Sequence, residues 1–118
     1  MLPRMQCDIL LQCSRAIAAL LAEMESEAEL FASANTRAGV EAHLLVMAQT
    51  LAHFPPALQR RLLRVDWAGW QALQLLLEAD GQPRREEVWY GVSSLMPATL
   101  YLISELRRRN PAWFEISY

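Results

Sequence analysis

The chain has 118 residues, a formal net charge of −2 and a hydrophobic content of 53%, with only 4 glycines. This length fits a single domain over residues 1–118 with one hydrophobic core, and the composition excludes a disordered or low-complexity chain. The small net charge gives no global attraction for nucleic acid, and no apolar stretch reaches the roughly 20 residues that a transmembrane helix needs.

The pattern of apolar and polar residues over positions 6–25 predicts an amphipathic helix. Within them, apolar side chains recur in alternating steps of three and four and therefore share one face of a helix. These positions are Leu10, Cys13, Ile17, Leu20 and Met24. Polar residues such as Asp8 and Arg15 interrupt the stretch, unlike the apolar region of an export signal. We therefore expect a cytoplasmic protein without a membrane segment.

An acidic stretch separates the first predicted helix from the second. Its four alternating glutamates, Glu23 to Glu29, fit a solvated face of a continued helix or of a short break near Ser26. The segment 33–36, Ser-Ala-Asn-Thr, offers caps for the second helix, and Pro55 with Pro56 ends it. The apolar positions of this helix are Val40, Leu44, Met47, Leu51 and Phe54. A short helix follows, with apolar positions at Leu58, Leu62 and Val65.

Two more long helices are predicted after residue 65. Asp66 is a typical N-cap for the first of them, and its apolar side holds Trp67, Trp70, Leu73 and Leu77. A turn over residues 80–83 leads to a helix over residues 84–109, which Pro97 should kink. Four main helices with short connections and one or two shorter helical pieces predict an all-α, up-and-down antiparallel bundle.

Few side chains suggest catalytic or metal chemistry. His43 and His53 are ten residues apart on one predicted helix, about 15 Å along its axis, so they cannot share a metal ion. His43 fits a partly buried structural histidine, and His53 fits solvent exposure or a cap for carbonyls at the helix end. Cys7 and Cys13 point in different directions on a helix, which favours two reduced thiols. The glycines are isolated and form no phosphate loop, so we expect no metal and no cofactor.

Arginines and tryptophans are the candidate contact residues. Three arginine clusters could contact phosphate or a partner, or could be solvated surface and complements of helix ends. They are Arg60, Arg61 and Arg64; Arg84 and Arg85; and Arg107, Arg108 and Arg109. Three tryptophans, Trp67, Trp70 and Trp89, fit either the core or a subunit interface, which favours a homodimer.

The chain resembles a known protein family in five segments. The order and spacing of these segments agree with the sequence pattern of that family. Residues 36–58 read like the family's second helix, which contains a G-E-A element and ends in L-S-P-x-L. Residues 65–67 resemble its I-P-W, residues 87–89 its I-V-W, residues 95–100 its D-L-P-A-L and residues 8–10 its D-I-L. The chain thus resembles the HepT-like (DUF86) branch of the HEPN superfamily over most of its length.

The resemblance implies a HEPN-like helical bundle that forms homodimers and has a small nucleotidyltransferase antitoxin as partner. Active members are ribonucleases with an R-x-x-x-x-H motif, followed two residues later by a tyrosine that the partner modifies with AMP. With a one-residue deletion after Trp67, these positions fall on Leu73, Glu78 and Asp80, and the G-E-A element reads as residues 48–50, Ala-Gln-Thr.

These replacements remove the chemistry that RNA cleavage needs. The reaction needs a group that takes the 2′-hydroxyl proton, a donor for the leaving oxygen and positive charge at the phosphate. Leu73 supplies none of these, and the Glu78 carboxylate repels phosphate. We therefore expect a pseudoenzyme that acts as an interaction module in a toxin–antitoxin system. Two alternatives stay open: a divergent ribonuclease that uses Glu78 with Arg84 and Arg85, and a helical subunit of a larger assembly.

Overall fold

The computed structural model describes residues 2–79 and 85–116, and every regular element within them is helical. The elements in chain order are α1 (Pro3–Leu21), α2 (Glu27–Ala32), α3 (Ala34–Ala52), α4 (Pro56–Arg61), α5 (Trp67–Glu78), α6 (Arg85–Tyr90), a π-helical segment (Gly91–Leu95), α7 (Met96–Arg109) and a 3-10 turn (Pro111–Phe114). The predicted all-α fold is confirmed.

Short polar side chains and proline set the ends of these helices. The Ser26 hydroxyl accepts a hydrogen bond from the Glu29 N–H, so the acidic stretch contains a break and a new short helix. Asp66 caps α5 as predicted, because its carboxylate accepts the Gly69 N–H at 2.8 Å. The helix α3 ends just before Pro55, which cannot continue it. The local sequence therefore determines where these helices begin and end.

The α6 helix, the π-helical segment and α7 follow one another without a break, and we call the three together the last long helix. This helix is irregular next to Pro97. In its π-helical segment, the Met96 N–H donates to the carbonyl of Gly91, five residues earlier. Proline lacks the N–H of a regular turn, and its ring crowds the carbonyl four residues before it, which here belongs to Ser93. A wider π turn is one way in which a helix accommodates such a conflict. The predicted kink thus corresponds to a π-helical segment directly before Pro97.

The helices α1 and α3 run antiparallel. Gln6, near the start of α1, donates through its side-chain Nε2 to the carbonyl of His53 at the end of α3, at 2.9 Å. At the opposite end of the pair, the side chain of Leu20 lies against Gly39, near the start of α3. These contacts match the start of each helix with the end of the other.

The helices α3 and α5 are also antiparallel, because the start of α5 lies beside the end of α3. The rings of Phe54 and Trp67 lie 6.2 Å apart where α3 ends and α5 begins. Further back along α3, Gln49 donates to the carboxylate of Glu78 at the end of α5, at 3.2 Å. The chain therefore reverses direction again between α3 and α5.

The last long helix runs antiparallel to both α5 and α1. Trp70, near the start of α5, contacts Thr99 on α7, whereas Leu73, further along α5, contacts Gly91 at the start of the π-helical segment. Arg107, near the end of α7, lies 3.7 Å from the carboxylate of Asp8, near the start of α1. The predicted up-and-down antiparallel bundle of four main helices is therefore confirmed, with α2 and α4 as the shorter pieces.

Trp70 lies in the core of this bundle. Its side chain is only 2% exposed, and its indole Nε1–H donates to the Thr99 hydroxyl at 2.8 Å, also out of solvent. A buried indole needs such an acceptor, because an unpaired buried N–H loses its hydrogen bonds to water. Of the two interpretations of this tryptophan, core and interface, the structure supports the core.

We expect Thr99→Val to destabilise the fold by about 1–3 kcal/mol, because the substitution leaves the buried Trp70 N–H without an acceptor. The measurement is urea unfolding followed by circular dichroism. Thr50→Val is the matched control: this hydroxyl donates to the Val46 carbonyl on its own helix, at an exposed hydrogen bond, and its loss should cost less than about 0.5 kcal/mol. Equal stability of Thr99→Val and the unmodified chain would contradict the role of the hydrogen bond.

Candidate functional site

The positions to which the resemblance assigns the ribonuclease groups do not form a site. Leu73 is only 4% exposed and points into the core between α3 and the last helix. Gly91 allows this close approach, since a Cβ atom there would lie 3.1 Å from Leu73 Cδ2 and 3.5 Å from Leu44 Cδ1. Glu78 is exposed at the end of α5, and Asp80 lies outside the described residues. One position is therefore inside the bundle and the other is on its surface.

Two glutamine amides hold the Glu78 carboxylate. Gln74 Nε2 donates to Glu78 Oε1 at 3.0 Å, and Gln49 Nε2 donates to the same oxygen at 3.2 Å. These two hydrogen bonds, that from Gln74 first, hold the pKa of Glu78 below its usual value. A carboxylate that is stabilised as an anion is a weak proton acceptor and carries the wrong charge to approach phosphate.

The contact between Gln49 and Glu78 was not predicted from the sequence. The resemblance aligns Gln49 with the middle of the G-E-A element and Glu78 with the motif's histidine, and the fold brings these two positions together. The antiparallel packing of α3 on α5 creates this contact between residues 29 positions apart. Periodicity places each residue on a helix face but does not fix the register between two helices.

The histidines and cysteines differ in their burial. His53 is exposed, and its Nδ1 lies 2.8 Å from the carbonyl oxygen of Gln49, a contact in which the ring nitrogen donates. His43 is partly buried. Cys7 and Cys13 are free and buried, as predicted. Burial raises the pKa of Cys7 to about 11 and also raises that of Cys13, so both are neutral thiols near pH 7 and poor nucleophiles.

The predicted cluster of Arg84 and Arg85 is engaged at one of its two positions. Arg85 lies 3.0 Å from the Glu27 carboxylate, and its guanidinium lies 5.0 Å from the ring centre of Phe31. These contacts join the start of α6 to α2. Arg84 lies outside the described residues.

The other two predicted arginine clusters meet at one end of the bundle, where α1 starts and α7 ends. Arg61 lies over the ring of Trp113, in the 3-10 turn after α7, at 3.7 Å. Arg60 and Arg64 are exposed and form no ion pair with any residue that the structure describes. Arg108 pairs with Glu105 at 2.8 Å. Two clusters that are more than 40 positions apart in the sequence thus share one surface.

Charge is therefore separated along the bundle, whose longest dimension is 43 Å. We call the end with most arginines the basic end; its arginines are Arg4, Arg60, Arg61, Arg64, Arg107, Arg108 and Arg109. We call the opposite end the acidic end; its glutamates are Glu23, Glu25, Glu27, Glu29, Glu86 and Glu87. Because α1 and the last helix run in opposite directions, the acidic stretch and the start of α6 come together at the acidic end.

Two depressions mark the surface of the bundle. One, of about 600 Å³, lies beside the end of α3 and includes Gln6, whose side-chain Oε1 is buried without a hydrogen-bond partner in the described residues. The other, of about 360 Å³, lies between α5 and α6 and is lined mostly by apolar atoms, with Tyr90 and Glu87 on one wall. Neither depression was predicted from the sequence; the small residues Gly69 and Ala72, three apart on α5, were the available signal for the second.

The remaining tryptophans lie at the margins of the core. Trp67 is partly buried, and its Nε1–H donates to the carbonyl of Leu62 at 2.9 Å. Trp89 is partly buried beside Leu21 and Met24, at the acidic end. Trp70 was a candidate interface residue, but it is buried within the chain and so has no surface to offer a partner.

We expect Leu73→Arg, which places the family's arginine back at its aligned position, to destabilise the fold by at least about 3 kcal/mol, because it buries an unpaired charge. Leu75→Arg is the matched control on the same helix: Leu75 is 65% exposed, so this change should be nearly neutral. Thermal and urea unfolding measure both variants. A stable, fully folded Leu73→Arg protein would contradict the inward orientation of this side chain.

We expect Gln74→Ala and Gln49→Ala each to raise the pKa of Glu78, because each removes a hydrogen bond to its carboxylate. In the unmodified chain, the stabilisation from this ionised group is present above the unfolded-state pKa and is lost as the pH falls through the lower folded-state pKa. Carboxyl-carbon NMR titration measures the pKa. Gln71→Ala, at an exposed position on α5, should leave it unchanged, and a common value in all four proteins would argue against the two hydrogen bonds.

Among the described ranges, no group of three or more His, Cys, Asp or Glu side chains could hold a metal ion. No helix in residues 2–79 or 85–116 has the length and apolar character to cross a membrane. Comparisons of the chain with protein-family models, with curated proteins and with solved structures find no match.

Proposed function

We propose that this chain is a catalytically degenerate HepT-like protein of the HEPN superfamily, which works in the cytoplasm as a dimeric protein-interaction module. A small nucleotidyltransferase antitoxin is the first candidate partner. The observation that carries the proposal is Leu73: the position that the resemblance assigns to the catalytic arginine holds a buried apolar side chain packed against Gly91. The helical bundle packs well around the apolar side chain of Leu73, which supports a role in binding rather than in catalysis.

The chemistry of the surrounding residues supports the loss of ribonuclease activity. Glu78 stands where the resemblance expects histidine, and its carboxylate is exposed, ionised and tied to two amides. It therefore offers neither a proton donor for a leaving oxygen nor positive charge for the phosphate. Arg85, an arginine of the divergent-enzyme alternative, is paired with Glu27. If Arg85 bound phosphate instead of Glu27, the ion pair that links α2 to α6 would be lost.

We expect the purified protein to cleave no RNA above the level of a mock purification, because the described residues around Glu78 supply no acid–base pair. The measurement is the degradation of total and of defined RNA, with Glu78→Ala and Arg85→Ala purified in parallel. Cleavage by the unmodified chain that both variants lose would overturn the proposal in favour of the divergent ribonuclease. Cleavage that persists unchanged in both variants would indicate a contaminating nuclease or another site, and repeated purification separates these two.

The partner is tested by co-expression with a nucleotidyltransferase encoded beside the gene of this chain. The proposal expects the two proteins to co-elute after affinity capture and size-exclusion chromatography. A gene neighbourhood without such an enzyme, together with capture of a stable multi-subunit complex from the native host, would overturn the partner assignment. That outcome would favour the helical subunit of a larger assembly.

A further inference from the structure

The turn between α4 and α5 presents an apolar side chain to solvent. Leu63, in this turn, is 80% exposed, more than any other large apolar side chain that the structure describes. Its neighbour Leu62 and the nearby Val65 are buried in the core. The carbonyl of Leu62 accepts the Val65 N–H at 3.1 Å and the Trp67 Nε1–H at 2.9 Å. The turn is therefore anchored on both sides of Leu63, which projects from a fixed support.

Arginines flank Leu63 on both sides. Arg60 and Arg64 are exposed and form no ion pair with any residue in the described ranges. Arg61 is also exposed, and its guanidinium covers the ring of Trp113 at 3.7 Å. We call Leu63 and these three arginines the α4–α5 apex. It combines a protruding apolar side chain with three cations that have no carboxylate partner in the part of the chain that the structure describes.

Carboxylates reduce the positive charge of the basic end but do not cancel it. Within the described residues, its seven arginines and four carboxylates leave an excess of three positive charges. These carboxylates belong to Asp8, Asp66, Glu105 and Glu115. Three of them pair with arginines outside the α4–α5 apex. The fourth, Asp66, caps α5, where the positive end of the helix dipole offsets its charge.

Two further apolar side chains lie at the basic end. Met5, at the start of α1, and Ile116, after the 3-10 turn, are each about half exposed. An ion pair of 3.4 Å between Arg4 and Glu115 joins the two segments that carry them. The basic end therefore exposes apolar surface in addition to its positive charge.

We propose that the α4–α5 apex binds the surface of an anionic membrane. Leu63 inserts at the boundary between headgroups and acyl chains, and the three arginines contact the phosphates and carboxylates of the lipids. Stable attachment to a membrane surface needs an apolar and a basic signal together, and the apex supplies both. The cytoplasmic leaflet is the anionic one, so this choice of membrane rests on the proposed cytoplasmic location.

The separation of charge along the bundle orients the molecule on such a surface. With the basic end at the lipid, the acidic end points away from it. The longest dimension of the bundle, 43 Å, is several times the Debye length of about 8 Å at physiological ionic strength. The repulsion between the distant glutamates and the anionic lipids is therefore screened, and the net charge of −2 does not prevent attachment.

A membrane accounts for features of the α4–α5 apex that a nucleic acid does not. Proteins that bind single strands combine arginines with aromatic rings on which the bases stack. The ring of Trp113, beside the apex, is covered by Arg61 and does not offer that face to a base. An exposed leucine adds nothing to phosphate contacts, whereas its insertion among lipids removes its apolar surface from water.

Vesicle flotation tests the proposal with the full chain. We expect binding to vesicles of phosphatidylcholine with about 30% phosphatidylserine, and at least about tenfold weaker binding to phosphatidylcholine alone. Leu63→Ser should weaken binding to the anionic vesicles about tenfold, because it removes the inserted apolar side chain. The double variant Arg60→Glu/Arg64→Glu should weaken it at least about tenfold, because it reverses two of the three charges at the lipid surface.

Two matched controls make the same kinds of change outside the α4–α5 apex. Leu75→Ser removes an exposed leucine on α5, and Arg15→Glu reverses an exposed arginine on α1 that has no ion pair among the described residues. Both should leave the affinity for the anionic vesicles within about twofold of the original. Circular dichroism and thermal unfolding of every variant separate lost binding from lost folding.

A fluorescent label at position 63 tests insertion directly. Cys7 and Cys13 are buried, so a thiol reagent applied to the folded Leu63→Cys variant labels the new exposed thiol. With an environment-sensitive dye such as bimane, we expect a blue shift of the emission when vesicles that contain phosphatidylserine are added. The same dye on Leu75→Cys should show no shift, because α5 stays outside the lipid.

Three outcomes overturn the proposal. The first is a folded chain that does not bind the vesicles with phosphatidylserine. The second is binding that charge reversal weakens but Leu63→Ser does not; equal behaviour with a single-stranded RNA oligonucleotide would then assign the apex to nucleic acid. The third is binding that both apex variants retain, which places the lipid contact elsewhere. None of them affects the proposed pairing with a nucleotidyltransferase, which co-expression tests in solution.

Discussion

The packing of α5 on the last long helix is the constraint on which the rest of the structure depends. At one end of the contact, the indole of Trp70 is buried and donates to the hydroxyl of Thr99. One turn further along α5, Leu73 fills the space that the missing side chain of Gly91 leaves open. The hydrogen bond of Trp70 to Thr99 and the contact of Leu73 with Gly91 together fix both the register and the rotation of α5. With α5 held in this way, Glu78 is directed to the surface and Leu73 to the core.

This orientation decides what the positions aligned with the family's motif do in the fold. An arginine at position 73 would have to lie in the apolar interior, so the position stabilises the bundle instead of contacting a ligand. Glu78, at the end of the same helix, has become part of a small amide–carboxylate network with Gln74 and Gln49 that joins α5 to α3. Residues that the resemblance places at a catalytic centre thus contribute to packing and to a surface link between helices.

The separation of charge along the bundle follows from the alternation of helix direction. Glutamates cluster in the α1–α2 connection and at the start of α6, whereas arginines cluster in and after α4 and at the end of α7. In an up-and-down bundle these segments assemble into an acidic end and a basic end, although the net charge of the chain is only −2. A partner that approaches the side of the bundle meets a dipolar surface, which selects orientation more than it adds affinity.

The sequence by itself determined the helical class, most helix ends and the pattern of inward-facing positions, because caps, prolines and apolar periodicity act over a few residues. Asp66 as a cap and Pro55 as a stop are examples. Only the tertiary structure decided which residues meet across helices. The contact of Gln49 with Glu78 and the burial of Trp70 both depend on the rotation and register of packed helices. Those follow from the shapes of side chains far apart in the chain, which periodicity does not encode.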